Sequence, residues 1–449
     1  MVPRAIGRPW PWVTGPLVFV GGVWLVLSYY LLDFVRTYCV DVPFYDEWEV
    51  LPVMMREQPV TLQWLWSQHN EHRMFLGRLL YLGVERVAHY DFRAGALLDA
   101  LLLSAAAAAL IGFAHRLRGW TTYSDAFFPL VLLNWGQAEN LIWSFQVQFV
   151  GASMLALVVL MLVARPGRMT FGRAMALAAC TLLFPLLGGN GMALVPALTV
   201  CVVLAGWDVR SADGEWTWRT LAVWTLGLLT IALWAFYFVG YQQPPGLPGS
   251  HSPVATLTGA MRFLTVGIGS GVKTSWLRYV VLASFGAAVV ALVATLVTRS
   301  HATGSPLRLL LFLASIASLA LGIGWARTPL SPDAVYASRY ATLAAPFSCA
   351  VYLAWESVDR PMLRRFAQTV LFLSAAALVL ANKAEGVREG SWHGDLRARI
   401  VADVRSGIPL GEIVKRYNGK IYYGGPDALA AGMRLLHAHG IGAFKDLKE

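Results

Sequence analysis

Residues 94–114, AGALLDALLLSAAAAALIGFA, decide the fold class of this chain. They form a long apolar run in which Asp99 is the single charged residue. A helix needs roughly 20 mainly apolar residues to cross the hydrocarbon core of a bilayer. The whole chain shares this character, since 57% of its residues are hydrophobic and only 14% are charged. Soluble globular proteins carry roughly a quarter charged residues, so lipid must be the solvent for much of this chain.

Similar apolar runs lie on either side of this one. The sequence therefore predicts an all-α polytopic membrane protein with about eleven transmembrane helices. Runs 122–135 and 174–187 are short for a helix that crosses a bilayer. The predicted spans are residues 17–32, 94–114, 122–135, 141–164, 174–187, 191–207, 221–239, 279–297, 309–323, 340–355 and 366–381.

The short connections between these runs differ in positive charge. Alternate connections are rich in arginine, whereas the intervening loops 136–140 and 188–190 contain neither arginine nor lysine. Positively charged loops stay on the cytoplasmic side of a membrane, so we expect a cytoplasmic N-terminus and an external C-terminal tail. The first apolar run has no small-residue cleavage site and is expected to remain as the first span. The arginines of the positive set are Arg4, Arg8, Arg116, Arg118, Arg165, Arg168, Arg173, Arg210, Arg219, Arg299, Arg308, Arg360, Arg364 and Arg365.

Three longer segments then face the exterior. They are the loops 34–93 and 240–277 and the tail 382–449. Residues 244–249 in the second loop are rich in proline and glycine. The tail has helical periodicity at 396–405 and 427–437, so we expect a small external helical domain beyond a transmembrane domain of residues 1–381. The net charge of +10 lies mainly at the ends of apolar runs, which fits membrane topology and not a nucleic-acid partner.

The first external loop concentrates ionisable groups around residues 45–48, Tyr-Asp-Glu-Trp. The stretches 48–55 and 74–87 have helical amphipathic spacing and should lie along the membrane surface, at the level of the lipid headgroups. A carboxylate held there could act as a general base and remove a proton from an attacking hydroxyl. Alternatively, Asp46 or Glu47 caps the N-terminus of a helix, which is a common role for acidic residues.

A second dense cluster in the same loop is residues 69–73, His-Asn-Glu-His-Arg. If the segment is helical, His69 and His72 share one face and could bind a divalent metal ion together with a carboxylate such as Asp46. The segment could also position an acceptor or, through Arg73, a phosphate. An interfacial polar face without a ligand is the simpler interpretation, because no complete metal-ligand spacing is present. The identity of any cofactor is therefore left open.

Polar residues also gather where the third and fourth runs meet an external boundary. Polar groups at this depth usually face the interior of a helix bundle or a watery cavity. Together with Trp135 and Trp143 they could line a carbohydrate site, or they could form hydrogen bonds between helices. The residues are Asn134, Gln137, Glu139, Asn140, Gln146 and Gln148.

Arg339 lies at the outer end of a late span, within the sequence Tyr336-Ala-Ser-Arg-Tyr340. A guanidinium group there could bind a phosphate through two parallel hydrogen bonds and stabilise charge on a phosphate leaving group. Lys273 and Arg327 are weaker candidates. For Arg327 we expect the side chain to extend towards the lipid headgroups.

An acidic first external loop with surface helices, followed by an Arg-Tyr pair that opens a late span, resembles the GT-C glycosyltransferase superfamily. More narrowly, segments 45–48 and 69–73 resemble those of bacterial members of that superfamily. There, a carboxylate of the first loop is the catalytic base, which implies Asp46, with Glu47 as the alternative. The donor is typically a polyprenyl-phosphate sugar, which implies that Arg339 binds its phosphate.

The resemblance also implies a reaction. Asp46 would deprotonate a hydroxyl of a lipid or glycan acceptor, and the sugar would be transferred in one displacement, with inversion, on the external face of a bacterial inner membrane. The lipid phosphate would leave against Arg339 or a metal ion. Further phosphate contacts would be Arg73 and Lys273. The candidate contacts with sugar and acceptor are Tyr45, Trp48, His69, His72, Glu139, Asn140, Tyr336 and Tyr340.

Two other functions stay open, a transporter or flippase of a lipid-linked substrate and a polymerase or ligase of surface glycans. Transport sites gather charge near the middle of the bilayer. Here the carboxylates collect at the outer surface, and Asp99 is the main charged residue within a span, which favours an enzyme. A polymerase or ligase would use the same lipid-linked donors, so the residues do not separate it from a single-sugar transferase.

Overall fold

The computed structural model describes residues 15–244, 249–298 and 304–449. Their fold is all-α, as predicted: α-helices and short 3-10 helices form nearly all of the regular structure, beside one hairpin of two-residue strands. Arg4 and Arg8, the centre of the proline- and glycine-rich run at 244–249, and Arg299 lie outside the described residues.

Loop 34–93, which was predicted to be external, carries secondary structure of its own. From the first span to the second, the elements are α1 (Gly15–Tyr38), α2 (Glu47–Met54), α3 (Leu62–Trp66), the strands β1 (Gln68–His69) and β2 (His72–Arg73), α4 (Phe75–Val87) and α5 (Ala94–Arg118). α2 and α4 correspond to the two predicted amphipathic stretches, and α4 exposes apolar side chains such as Leu80 and Val87. The apolar side chains of α2 pack against the C-terminal tail, so they do not form the exposed apolar face that a surface helix would offer to lipid.

The rest of the chain alternates longer helices with short connections. Its elements are α6 (Phe127–Leu132), α7 (Glu139–Ile142), α8 (Val147–Ala164), α9 (Phe171–Leu183), α10 (Gly189–Met192), α11 (Val195–Asp213), α12 (Trp218–Tyr237), α13 (Pro253–Val266), α14 (Leu277–Thr298), α15 (Ser305–Arg327), α16 (Arg339–Ala354), α17 (Pro361–Ala377), α18 (Val379–Arg405), α19 (Leu410–Tyr417) and α20 (Pro426–Ala438). α18 follows α17 almost directly, so the domain boundary expected at residue 382 falls inside a helix.

Eight helical segments in the described part of the chain are long and apolar enough to cross a membrane. This is a multi-pass membrane protein. The eight segments are Gly15–Tyr38, Ala94–Arg118, Ser144–Ala164, Val195–Asp213, Trp218–Tyr237, Leu277–Thr298, Ser305–Arg327 and Pro361–Arg405. The other predicted spans, 122–135, 174–187 and 340–355, correspond to shorter helices, namely α6 with its flanking 3-10 turns, Phe171–Leu187 and α16.

Two of these shorter segments nevertheless reach both ends of the helix bundle. At one end, Arg118 forms ion pairs with Asp125 and Glu356. At the other end, Glu139 forms an ion pair with Arg339. Asp125 and Glu139 flank α6, and Arg339 and Glu356 flank α16, so the two segments run side by side through the bundle. Both helices are buried, so they pack against protein and need less apolar sequence than a helix that faces lipid.

Segment 240–277, which was predicted to be an external loop rich in proline and glycine, also contains a helix. It contains α13, which packs closely against α15 and α16. The backbones of α13 and α15 approach because Gly324 has no side chain: a Cβ atom there would lie 2.3 Å from the carbonyl oxygen of Thr256. This helix extends the bundle at the same end as loop 34–93.

The C-terminal tail and α2 form a second hydrophobic core beside the bundle. Trp48 of α2 packs against the rings of Tyr422 and Phe444, with centroid distances of 6.4 and 6.0 Å. Gly432 on α20 makes room for this indole, since a Cβ atom there would lie 2.8 Å from it. The tail is thereby fixed onto the loop that carries the acidic cluster.

Candidate functional site

Two adjoining cavities lie next to loop 34–93 and the C-terminal tail. The polar cavity has a volume of about 320 Å³, and the apolar cavity has a volume of about 580 Å³. The polar cavity is lined by residues that include Tyr45, Asp46, His69, Asn70, Trp143 and Tyr423. The apolar cavity is lined by residues that include Met192, Pro196, Trp234, Phe238, Ile323 and Trp325. Glu71, His72, Phe149, Arg327 and Arg339 line both cavities, and we call these five residues the junction.

Asp46 lies directly before α2 and lines the polar cavity. Its Oδ1 accepts a hydrogen bond from the Tyr423 hydroxyl and lies 3.3 Å from Nε2 of His69. Within the described residues no hydrogen bond reaches Oδ2, so this oxygen is available to a ligand in the cavity. The side chain makes no capping hydrogen bond to α2, which contradicts the interpretation of Asp46 as a side-chain helix cap.

His69 is held between two carboxylates. Its Nε2 lies 3.3 Å from Asp46 Oδ1, and its Nδ1 lies 3.0 Å from Glu49 Oε2. Ionised carboxylates only accept hydrogen bonds, so both ring nitrogens donate and the ring is an imidazolium. Burial opposes this charge, but the hydrogen bonds with Asp46 and Glu49 outweigh burial and raise the pKa of His69 to about 9. Burial also acts to raise the pKa of Asp46, but hydrogen bonds from His69 and Tyr423 hold that pKa below its ordinary value.

The pairing of His69 predicts a loss of stability in alkaline solution. The folded-state pKa is raised, so the contribution of this pairing is complete below the ordinary histidine pKa of about 6.5 and disappears as the pH rises through about 9. The contribution is on the order of 3 kcal/mol. The midpoint temperature of thermal unfolding should therefore fall more steeply between about pH 7 and about pH 10 for the purified wild type than for His69→Gln. Parallel curves would contradict the assignment of a charged His69.

Glu47, the alternative base, lies away from both described cavities. It is almost completely buried and accepts hydrogen bonds from the backbone N–H groups of Phe44 at 2.8 Å and Phe145 at 3.1 Å. Burial raises the pKa of Glu47 to about 8. Glu47 therefore joins the first loop to the segment before α8, and Asp46 is the better-placed candidate base.

Residues 68–73 form a β-hairpin and not the helix that would place two histidines on one face. Asn70 has a φ of +48° and forms the two-residue turn with Glu71, between β1 and β2. Asparagine tolerates this left-handed conformation better than most residues. His69 and His72 pair across the hairpin, but the nearest carboxylate to His72 is Glu71, at 3.6 Å. In the described part of the chain, no three His, Cys, Asp or Glu side chains converge as a metal site.

Arg327 and Arg339 are the cations of the junction. Arg327 donates from Nε to the Tyr340 hydroxyl at 2.9 Å, and its Nη2 forms an ion pair with Glu71. Arg339 forms an ion pair with Glu139, and its backbone N–H donates to the same carboxylate at 3.1 Å. Arg327 therefore does not extend towards the lipid headgroups as expected. Two guanidinium groups at the border of the cavities can bind an anion there.

Arg73, a predicted phosphate contact, has a different position. Its guanidinium group donates to the backbone carbonyl oxygens of Trp66, Tyr237 and Val239 at 2.9–3.0 Å. These bonds fasten the hairpin to the end of α12. Arg73 is not among the residues that line either of the two described cavities, although its hairpin neighbours Glu71 and His72 line both.

Three other predicted contacts lie outside both described cavities. Lys273 is exposed and forms an ion pair with Asp333 at 3.1 Å. Tyr336 is buried in the connection before α16, and Trp48 is buried beneath the tail. The structure does not bring these residues together with Asp46.

Glu139 and Asn140 act on Arg339 and do not line the described cavities. Glu139 binds the guanidinium group, and Asn140 Nδ2 donates to the carbonyl oxygen of Arg339 at 3.1 Å. Asn140 Nδ2 also donates to the Thr342 hydroxyl at 2.7 Å. These bonds fix the first turn of α16, so their role is to position the arginine.

The sequence analysis gave two possible roles for the remaining polar residues of this region, lining a carbohydrate site or forming structural hydrogen bonds, and the structure shows residues in each position. Gln146 and Gln148 line the polar cavity and are placed to contact a hydroxylated ligand. Asn134 and Gln137 instead donate to backbone carbonyl groups near the end of α6. Tyr340 lines the apolar cavity.

Tyr423 also lines the polar cavity, although it was not among the candidates chosen from the sequence. Its hydroxyl donates to Asp46, and its ring lies 6.1 Å from the ring of Tyr45. The tyrosine pair before Gly424-Gly425 marks a break between two helical stretches of the tail. This local pattern does not predict the contact of Tyr423 with Asp46, which lies 377 positions earlier.

No family model and no curated protein matches this sequence. Among solved structures, the fold is similar to that of ArnT from Cupriavidus metallidurans, solved by crystallography with undecaprenyl phosphate bound. The similarity covers 88% of this chain and 81% of that chain, with 14% identity and a TM-score of 0.45.

Proposed function

We propose that this chain is a glycosyltransferase of the GT-C type, which transfers a sugar from a polyprenyl-phosphate donor to a hydroxyl acceptor on the external face of a bacterial inner membrane. The observation that carries the proposal is the junction, where a polar cavity with a carboxylate meets an apolar cavity beside two arginines. A lipid-linked sugar has its parts in the same order: an apolar chain, a phosphate and a sugar. Apolar pockets with a few convergent polar groups are typical ligand sites.

The electrostatics of the site suit this substrate. Arg327 and Arg339 offer positive charge to a phosphate, while Glu71 and Glu139 hold their side chains in place. The polar cavity beyond them offers amide and aromatic groups, which suit a sugar because a sugar has both hydroxyl groups and apolar ring faces.

Asp46 is the proposed general base. Its Oδ2 takes the proton from the acceptor hydroxyl, and the hydroxyl oxygen bonds to the anomeric carbon while the bond from that carbon to the phosphate oxygen breaks. Attack comes from the side opposite the phosphate, so the anomeric configuration inverts. Polyprenyl phosphate leaves with an additional negative charge, which Arg327 and Arg339 stabilise.

A transfer assay with the purified full chain in proteoliposomes tests the proposal. The vesicles contain a polyprenyl-phosphate hexose labelled in the sugar, together with a lipid extract of a bacterial envelope as the acceptor. We expect the label to move to the acceptor, with one polyprenyl phosphate released for each sugar transferred. A ladder of longer products would indicate a polymerase or ligase. Movement of unchanged donor between the leaflets, without a covalent product, would contradict the proposal and indicate a flippase.

A further inference from the structure

Segment 419–425 of the tail is a tight loop held by backbone hydrogen bonds. Gly419 has a φ of +76°, and its N–H donates to the carbonyl oxygen of Tyr422 at 2.9 Å. The loop is also tied to the first external loop, because the N–H of Tyr45 donates to the carbonyl oxygen of Ile421 at 2.8 Å. One bond within the loop and one bond to residue 45 therefore fix its position over the polar cavity.

Tyr423 lies within this loop, and its hydroxyl takes part in two hydrogen bonds. It accepts from Asn70 Nδ2 at 3.3 Å and donates to Asp46 Oδ1. The His69 ring approaches the same carboxylate oxygen at 3.3 Å. Rotation of the carboxylate would break both contacts, so Oδ1 is held and Oδ2 is left for another partner.

We propose that Tyr423 is a positioning residue of the reaction, which holds Asp46 so that Oδ2 takes the proton of the acceptor. The inference rests on the proposed function, since it assigns a role to Tyr423 through the base. It makes the C-terminal tail a part of the active site and not only a cover over the first loop. The same hydroxyl stabilises the ionised form of the carboxylate, because it donates to that form more strongly than to the neutral acid.

Tyr423→Phe tests this role, because it removes the hydroxyl and keeps the ring. We expect kcat to fall about tenfold, with little change in KM for the donor, because one hydrogen bond to a charged group is lost. The acid limb of the rate profile should move up by about one pH unit, since the base then protonates more readily. The titratable and charged groups around Asp46 include His69 with its partner Glu49, Glu47, His72 and Arg339, and the substitution removes none of them.

Tyr422→Phe is the matched control, because Tyr422 is the neighbouring tyrosine and packs beside Trp48 outside the cavities. It should keep the wild-type kcat and the wild-type acid limb. A Tyr423→Phe enzyme with unchanged kcat and an unchanged acid limb would overturn the inference while leaving the proposed function intact.

A second measurement does not require transfer activity. The lowered pKa of Asp46 contributes stability that is present above the ordinary carboxylate pKa and is lost as the pH falls through the folded value. Tyr423→Phe should therefore unfold at a higher pH than the wild type during acid titration. If the wild type transfers no sugar, the proposed function fails, and with it the role of Tyr423 in the reaction. Identical acid unfolding of the two proteins would overturn the contact itself, whatever the transfer assay shows.

Discussion

Asp46→Asn is expected to abolish sugar transfer, with kcat lowered by about 10²–10⁴-fold, because the amide cannot take a proton from the acceptor. Asparagine has nearly the shape of aspartate, and its side-chain oxygen can still accept from His69 and Tyr423. His69 also keeps its contact with Glu49. The variant should therefore fold, so the loss of transfer can be assigned to the base. The initial rate of polyprenyl phosphate release measures the effect, and thermal unfolding in detergent checks the fold.

Glu47→Gln is the comparison that separates the two candidate bases. Glu47 accepts a backbone hydrogen bond on each of its oxygens, and an amide can accept on only one side. We expect a loss of stability of about 1–3 kcal/mol, since a buried backbone donor loses its partner, with kcat reduced less than about tenfold. If Glu47→Gln were inactive and Asp46→Asn active, the assignment of the base would be wrong.

Arg339→Gln should have the second largest effect, a loss of about 10²–10³-fold in kcat/KM. The guanidinium group at the junction is proposed to bind the phosphate and to stabilise the charge that develops on it as it leaves. Arg339→Lys should recover part of the activity, because lysine keeps the charge but not the planar fork. Transfer rates at several donor concentrations would separate binding from the chemical step.

The main complication is Glu139, which loses its cation in Arg339→Gln. A double variant with Glu139→Gln removes this unpaired charge, and it should recover stability without recovering transfer. Arg388→Gln provides a control for charge alone, since Arg388 is exposed on α18 and pairs with Glu385. It should keep the wild-type kcat/KM. An Arg339→Gln enzyme with wild-type kcat/KM would remove the phosphate site from the proposal.

Hydropathy predicted the long helices well because apolar side chains that face lipid leave a continuous signal in the sequence. The signal weakens where a helix is enclosed by protein. α16 begins with Arg339 and contains Pro346, and burial against its neighbours makes up for its lower hydropathy. α13 was overlooked because it follows the proline- and glycine-rich run at 244–249. Its position depends on contact with Gly324, which lies far away in the sequence.

Some of the acidic and basic residues of the candidate site could be predicted from the sequence. Asp46 belongs to the acidic loop after the first span, Arg339 opens a late helix, and both line the polar cavity. Arg327 looked the same as any arginine at a membrane boundary, because its pairing with Glu71 is set by tertiary structure. The turn at Asn70 was missed because His69 and His72 are neighbours in either structure. They would share one face of a helix, and they pair across a two-residue hairpin turn.

The core shared by α2 and the tail has a consequence for biogenesis. Tyr423 follows Asp46 by 377 positions, and nearly all of the membrane crossings lie between them. While the ribosome is still producing those helices, the C-terminal tail is absent, so Trp48 and its apolar neighbours on α2 lack their packing partner. Exposed apolar surface of this kind is a target for chaperones and proteases. Cells would thus degrade chains that stall during insertion, and a chain would acquire activity only after its last span had been integrated.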